Sequence, residues 1–175
     1  MGNSQLQLLN LPIELERDEF CRDVIGNLAG TLQDVVGLYE SEGFISIVGQ
    51  KIGEGINRAY KDAFKVEQLD RAQVASVLVD LKRRIKGEFE VVFESDEKIV
   101  LQGNRCPFEE KVIGRPSLCM MTSNVFGVIA SDNLGYAKVS IEKAIAQGDT
   151  ACTVVVYLTE EGEGSLEEGV EYFRG

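Results

Sequence analysis

The spacing of apolar residues changes once along this chain, and that change decides what it can fold into. Up to Ile85, hydrophobic side chains recur every three to four residues, the repeat of a helix with one buried face. From Glu88, the order Glu-Phe-Glu-Val-Val-Phe-Glu alternates, the repeat of a half-buried strand. Helices therefore come first and a sheet follows. The first stripe is Phe20, Val24, Leu28, Leu32, Val35 and Tyr39. It predicts a helix from Leu15 to Tyr39 with that stripe inward. Phe44, Val48, Ile52, Ile56, Ala59 or Tyr60, and Ala63 predict a second helix over 44–64, with Ser41 as its cap. Asp70 followed by Gln73 has the form of a capping box. It opens a third helix with Val74, Val77, Leu78, Leu81 and Ile85 inward. Lys82, Arg83, Arg84 and Lys86 crowd its last turn, where cations complement the helix dipole and read as a solvated end. Gly87 stops it.

Ser95-Asp96 turns the first strand into a partner over 98–102. Pro116 to Ala130 predicts a fourth helix, with Leu118, Met121, Val125 and Ile129 on one side and Pro116 in the first turn. The run Ser131-Asp132-Asn133-Leu134-Gly135 is expected to break it. Tyr136 to Ile145 and Cys152 to Leu158 read as two further strands around a Gly148-Asp149 turn. The order is α-α-α-β-β-α-β-β. No repeat or linker divides it, so a single α+β domain over 1–158 is expected. Its three N-terminal helices precede an antiparallel sheet (β-β-α-β-β), with helices packed on one face. A chain of 175 residues, 44% hydrophobic, has ample material for one core.

The remainder, 159–175, carries six Glu and one Arg, so it holds −5 of the net −11. It reads as an acidic flexible tail. Leu166, Val170, Tyr172 and Phe173 leave room in it for a short docking segment. The acidic balance argues against sequence-independent binding to nucleic acid or anionic membrane, which needs cations. No apolar run approaches the ~20 residues of a membrane span. The start, Met-Gly-Asn-Ser-Gln-Leu, lacks a basic region followed by an apolar one. A cytoplasmic protein with reduced thiols is therefore expected. Gly2 follows Met1, but Leu6 stands where an acylation signal has Ser or Thr.

Histidine is absent altogether. That excludes Ser-His-Asp and Cys-His couples, haem held through His, and Cys₂His₂ zinc. The distinctive groups left are Cys21, Cys106, Cys119 and Cys152. Cys21, beside Phe20, reads as filling space. Cys106 closes a strand, Cys119 sits in the first turns of a helix and Cys152 opens the last strand, so the three are candidates to converge. Structural thiols, redox sensing, and ligation of zinc or an iron–sulfur cluster all remain open for them. The spacings x₁₂ and x₃₂ contain no Cys-x-x-Cys. A metal would need a fourth ligand from Asp149, Glu142, Asp132 or water. Met120, Met121 and Phe126 are candidates to line an apolar pocket. The ligand-contact set is then Cys106, Cys119, Met121 and Phe126, and the metal set Cys106, Cys119 and Cys152. No acid–base pair is visible, since Glu109-Glu110 and Glu160-Glu161 are adjacent in sequence and cannot face each other across a substrate. Gly49-x₃-Gly53-x-Gly55 lacks the Gly-Lys-Ser/Thr of a phosphate loop, and reads as a close helix contact, with a dimer partner as one candidate for the other side.

The ending Glu142-x₅-Gly148-Asp149-x₂-Cys152, in a strand-turn-strand, resembles the close of a 4-vinyl reductase-type (hydrocarbon-binding) domain. Cys106-Pro-Phe, Gly114-Arg-Pro-Ser-Leu-Cys119 and Gly135-Tyr-Ala belong to the same pattern. Leu32-Gln-Asp-Val-Val-Gly-Leu and Gly43-Phe-Ile-Ser-Ile-Val-Gly-Gln-Lys-Ile-Gly resemble the related methanogen output domain. The resemblance covers about residues 11–158. It implies the fold of haem nitric-oxide-binding domains and of vesicle-tethering TRAPP subunits, commonly dimerised through helices. It further implies a sensory or regulatory module that binds a small hydrophobic ligand, binds metal through Cys, or responds to redox state, and signals to a regulatory protein partner. The first two helices are the expected homodimer interface. A metal- or cluster-binding protein and a bare tethering subunit are the alternatives. Members often carry a further Cys just after the Glu; here that stretch is Lys143-Ala-Ile.

Overall fold

The computed structural model describes residues 16–165 and 167–175. Gly2, the predicted helix start at Leu15, and Leu166 lie outside them. Three helices come first: α1 (Arg17–Val36), α2 (Leu38–Phe64) and α3 (Arg71–Arg84). Strands β1 (Glu88–Glu94) and β2 (Lys98–Arg105) follow, then helix α4 (Cys119–Leu134). Strands β3 (Tyr136–Lys143), β4 (Cys152–Tyr157) and β5 (Val170–Phe173) complete the fold. The strands form one antiparallel sheet in the order β1-β2-β4-β3-β5. The α+β class and its helix-covered sheet are as the periodicities predict.

The register explains the core. Ile99 and Leu101 of β2 pair with Val156 and Val154 of β4, and these pair with Val139 and Ile141 of β3. Side chains on alternate residues share a face, so the strands present one continuous apolar row. Leu78 and Leu81 of α3, and Phe126 and Ile129 of α4, pack on it. Each such fully buried side chain is worth about 1.5–3 kcal/mol. The capping box is present: the Asp70 carboxylate accepts from the Gln73 N–H at 2.8 Å, and Gln73 Oε1 accepts from the Asp70 N–H at 2.9 Å.

Four expectations change. First, the acidic stretch does not run on as a tail: Val170–Phe173 is an edge strand, with Tyr136 opposite Phe173 and Val139 opposite Val170. Tyr172 lies across Gly127 of α4, and its hydroxyl is 2.9 Å from Ser123 Oγ. Ladder hydrogen bonds and ring burial outweigh the charge of the glutamates before them.

Second, the apolar stripe of α1 faces outward. Phe20, Val24, Leu28 and Val35 are exposed, as is Tyr39, which falls in α2 because the helix breaks at Gly37; the buried positions of α1 are Gly26, Ala29 and Gly30. Small residues let the backbone approach Lys111 and Arg115 closely. Ion pairs from Arg22 to Glu109 and from Lys111 to Asp23 hold the helix there. Phe44, Val48 and Ile52 of α2 are exposed likewise. Its Gly49 and Gly53 meet Asn124, Val125 and Val128 of α4, so this close contact is made within the chain.

Third, α4 continues through the expected breaker. Asn133 is buried; its amide donates to Asn57 Oδ1 and the Ile129 carbonyl, and its oxygen accepts from the Leu69 N–H. The helix stops at Gly135, whose φ of +100° suits only glycine. Fourth, Ile85 is exposed and Lys82 takes the inward position.

Candidate functional site

Helix α3 places Val74, Ala75, Leu78, Leu81 and Lys82 on one buried face. Ile85 falls at the helix end, outside that geometry. The neighbouring cations behave as a solvated end should: Arg83 and Arg84 pair with Asp80, and Lys86 pairs with Asp18. Hydrogen bonds from Tyr60, then Arg84 and Arg83, hold the Asp80 carboxyl well below the usual carboxylate range. Lys82 differs from all of them, with 5% exposure. Its ammonium donates to Thr122 Oγ1 at 2.7 Å. It sits 5.0 Å from the Phe89 ring centre and 5.3 Å from that of Phe126. The two rings meet edge to face, 6.2 Å apart. Among the described residues, no carboxylate lies within ion-pair reach of Lys82.

The titratable groups that face Lys82 are thiols. Cys106 comes from the end of β2, Cys119 from the start of α4 and Cys152 from the start of β4, and all three interact electrostatically with the lysine. The chain thus brings Cys106, Cys119 and Cys152 into one neighbourhood, half-buried and free of disulfides. The Ile145 N–H donates to Cys152 Sγ at 3.4 Å. Cys106 and Cys119 pack beside Val112, Leu118, Ala144 and Ala146. Burial pulls Lys82 down to about 8, with the three sulfurs acting in the opposite sense. Burial also raises the Cys106 thiol and pushes Cys119 up to about 12, where the neighbouring sulfurs add to it. A helix N-terminus lowers a thiol's pKa when solvated; at Cys119 desolvation wins.

Of the other sequence candidates, Phe126 is fully buried against Phe89, in the core beneath Lys82. Met121 sits where α4 meets Gly49 of α2. Met120 instead lines a cavity of about 530 Å³, together with Glu42, Cys119, Ser123, Ile141 and Glu142. Glu167, Glu168 and Val170 complete its rim. Burial raises the Glu42 carboxyl. Cys21 is exposed on α1 rather than filling space. Among the described residues, no three Cys, Asp or Glu side chains are arranged to hold a metal ion. A larger groove, about 740 Å³, runs between α2, α4 and β5, away from the thiols. Within it, Lys61 and Asn57 both donate to Asp132.

Lys82 is the residue the sequence reading missed. Its spacing carried the signal: 74, 75, 78, 81 and 82 follow i, i+1, i+4, i+7 and i+8, the buried face of one helix. A lysine beside three other cations hid it.

The profile of the family described as methanogen output domain 1 matches residues 24–157. Among curated proteins, none matches the chain in sequence. Solved structures do match in fold. The phenol-responsive sensory domain of the transcription activator PoxR, crystallised with phenol, superposes with a TM-score of 0.64 at 14% identity. That match covers 87% of this chain and 79% of that one. Trafficking protein particle complex subunit 3 from Naegleria fowleri, covalently bound to palmitic acid, superposes with a TM-score of 0.58, also at 14% identity. It covers 82% of this chain and 95% of the other. The similarity to these two is one of fold.

Proposed function

The chain belongs to the methanogen output domain 1 family, and from that premise we propose that it is a sensory module for a small apolar ligand. The observation that carries this reading is the enclosed neighbourhood of Lys82, Cys106, Cys119 and Cys152, which meets the 530 Å³ cavity at Cys119. Cys119 and Met120 give that cavity an apolar floor, and Ile141 and Val139 an apolar wall. Both structural neighbours were solved holding an apolar molecule, phenol in one and palmitic acid in the other. Binding is favoured over redox sensing because Cys119 stays a thiol, and the thiolate is the reactive form. Binding is also favoured over zinc or an iron–sulfur cluster, for which the described side chains supply no ligand set.

The module acts as a homodimer through α1 and α2 and passes its state to a regulatory protein. Twelve large apolar residues on or between these helices, Phe20 to Ile52, stand 39–84% exposed. Together they offer on the order of 1,000 Å² of surface, against about 800 Å² per partner in a stable interface. The ends of α2 and α4 at Glu42 and Cys119 share the ligand cavity, so occupancy is felt at the dimer face. No described helix is long and apolar enough to cross a membrane, and reduced thiols suit a cytoplasmic setting.

The test uses Nile red, a neutral dye that brightens in apolar sites, with anaerobic native mass spectrometry of the full chain. Saturable brightening that Cys119→Trp abolishes is expected, on a dimer carrying no metal. Brightening unchanged in Cys119→Trp, or stoichiometric zinc or iron on the purified chain, overturns the ligand reading. Phe44→Glu is expected to dissociate the dimer in sedimentation, and a wild-type monomer at micromolar concentration refutes the interface.

A further inference from the structure

We propose that Lys82 captures the ligand covalently, as an imine with a small neutral aldehyde or ketone that enters past Cys119. This rests on the reading that the site takes an apolar ligand, and it names the chemical class.

Three observations carry it. Lys82 is 95% removed from water with no carboxylate among the described residues to hold its charge, an arrangement that favours the free amine. A structural lysine would keep a counter-ion; this one has a threonine hydroxyl, two phenyl rings and three thiols. Second, Lys82 and Cys119 have exchanged their usual order of acidity. In water a thiol deprotonates near 8.5 and a lysine near 10.4. Here Lys82 titrates at about 8 and Cys119 at about 12. Burial thus favours the amine over the Cys119 thiol as nucleophile at neutral pH, with far more of it free than in an ordinary lysine. Third, the cavity at Cys119 selects the charge of what enters. Glu42, Glu142, Glu167 and Glu168 line it, and no lysine or arginine does so among the described residues. An anion is repelled there and a neutral carbonyl is not. Cys119, which lines the cavity, and Thr122, which accepts from the amine, stand one turn apart on α4, so the cavity and the amine are separated by a single helical turn.

The step balances without an oxidant. The Lys82 ammonium gives one proton to solvent. The nitrogen lone pair adds to the carbonyl carbon, and the carbonyl π pair moves to oxygen. The remaining two amine hydrogens leave with that oxygen as water, and a C=N bond replaces C=O. When the imine is protonated, its charge lies between the Phe89 and Phe126 rings, where the ammonium charge lay before.

The test is reductive trapping on the full chain, in reducing buffer at pH 7.4, with benzaldehyde as probe and cyanoborohydride as hydride donor. Peptide mass spectrometry reads each lysine. The expected result is a benzyl adduct on Lys82 at least tenfold ahead of the exposed Lys51 and Lys65, with that excess lost in urea. Lys82→Arg and Lys82→Met are both expected to abolish the fast adduct. Labelling of Lys51 and Lys65 with Lys82 unmodified overturns the proposal. Intact benzaldehyde retained without loss of water also overturns the capture, yet leaves the apolar-ligand reading standing. If benzaldehyde neither binds nor labels Lys82 and Nile red does not bind either, both fail.

Discussion

Replacing Lys82 by Met tests the electrostatics of the site independently of any ligand. The two side chains have similar length, and Met removes the charge. Burial lowers the lysine from 10.5 to about 8. That difference corresponds to about 3 kcal/mol by which folding disfavours the ammonium relative to the amine. Between pH 8 and 10.5 the unfolded chain binds more protons at this residue than the folded one. Stability from Lys82 therefore rises with pH across that window. Below pH 8 both states carry the proton and the penalty is fully present. Above 10.5 neither does and it is gone. The buried Cys119 thiol works the other way, because its pKa rises on folding from 9.0 to about 12 and stability is lost as pH climbs through that range. Its effect is common to both proteins and largely cancels in their difference. At pH 7, relief of the buried charge offsets loss of the Thr122 hydrogen bond, worth about 1.5–3 kcal/mol for a charged donor, so the substitution is near neutral. From pH 8 to 10 the wild type gains on the variant by about 2 kcal/mol. Urea unfolding followed by far-UV circular dichroism suits a chain without tryptophan. A difference between the two proteins that stays flat over this range refutes the reasoning.

Other consequences follow from the packing. Asn133→Ala leaves the Leu69 N–H without its partner in a dry site, so about 2–3 kcal/mol of stability is lost, measurable in the same assay. Gly127→Ala drives a methyl into the Tyr172 ring, at a cost of about 1–3 kcal/mol. Amide exchange should then quicken at β5 before it does at β4. Leu28→Glu changes an exposed position and leaves monomer stability within about 0.5 kcal/mol. It should still weaken dimerisation in analytical ultracentrifugation.

Legibility followed the range of the forces involved. The capping box at Asp70 and Gln73, the switch from helix to strand at Gly87 and the class of the fold all rest on local hydrogen bonds and on residue spacing. The breaker reading of Ser131–Asn133 failed because a local preference lost to the hydrogen bonds Asn133 accepts from Leu69 and donates to Asn57, both far away in sequence. The acidic run hid β5 because composition does not register the β3 edge that Val170–Phe173 pairs with. At the site, the sequence singled out Cys106, Cys119 and Cys152 but not the lysine they face, since four cations within five residues look alike until one is buried.

By itself, the sequence determined the α+β class, the order of elements and the loss of all histidine chemistry, because period, caps and residue inventory are properties of the chain. Only the tertiary structure decided which helix face is buried. On α1, Gly26, Ala29 and Gly30 allow a close approach that the larger residues of the apolar stripe would block, so the stripe was left outside for another surface. On α3, the same geometry turned Lys82 inward among sulfur and phenyl groups. Its charge then has no anion to rest against among the described residues, and the chemistry of the site follows from desolvation rather than from residue type.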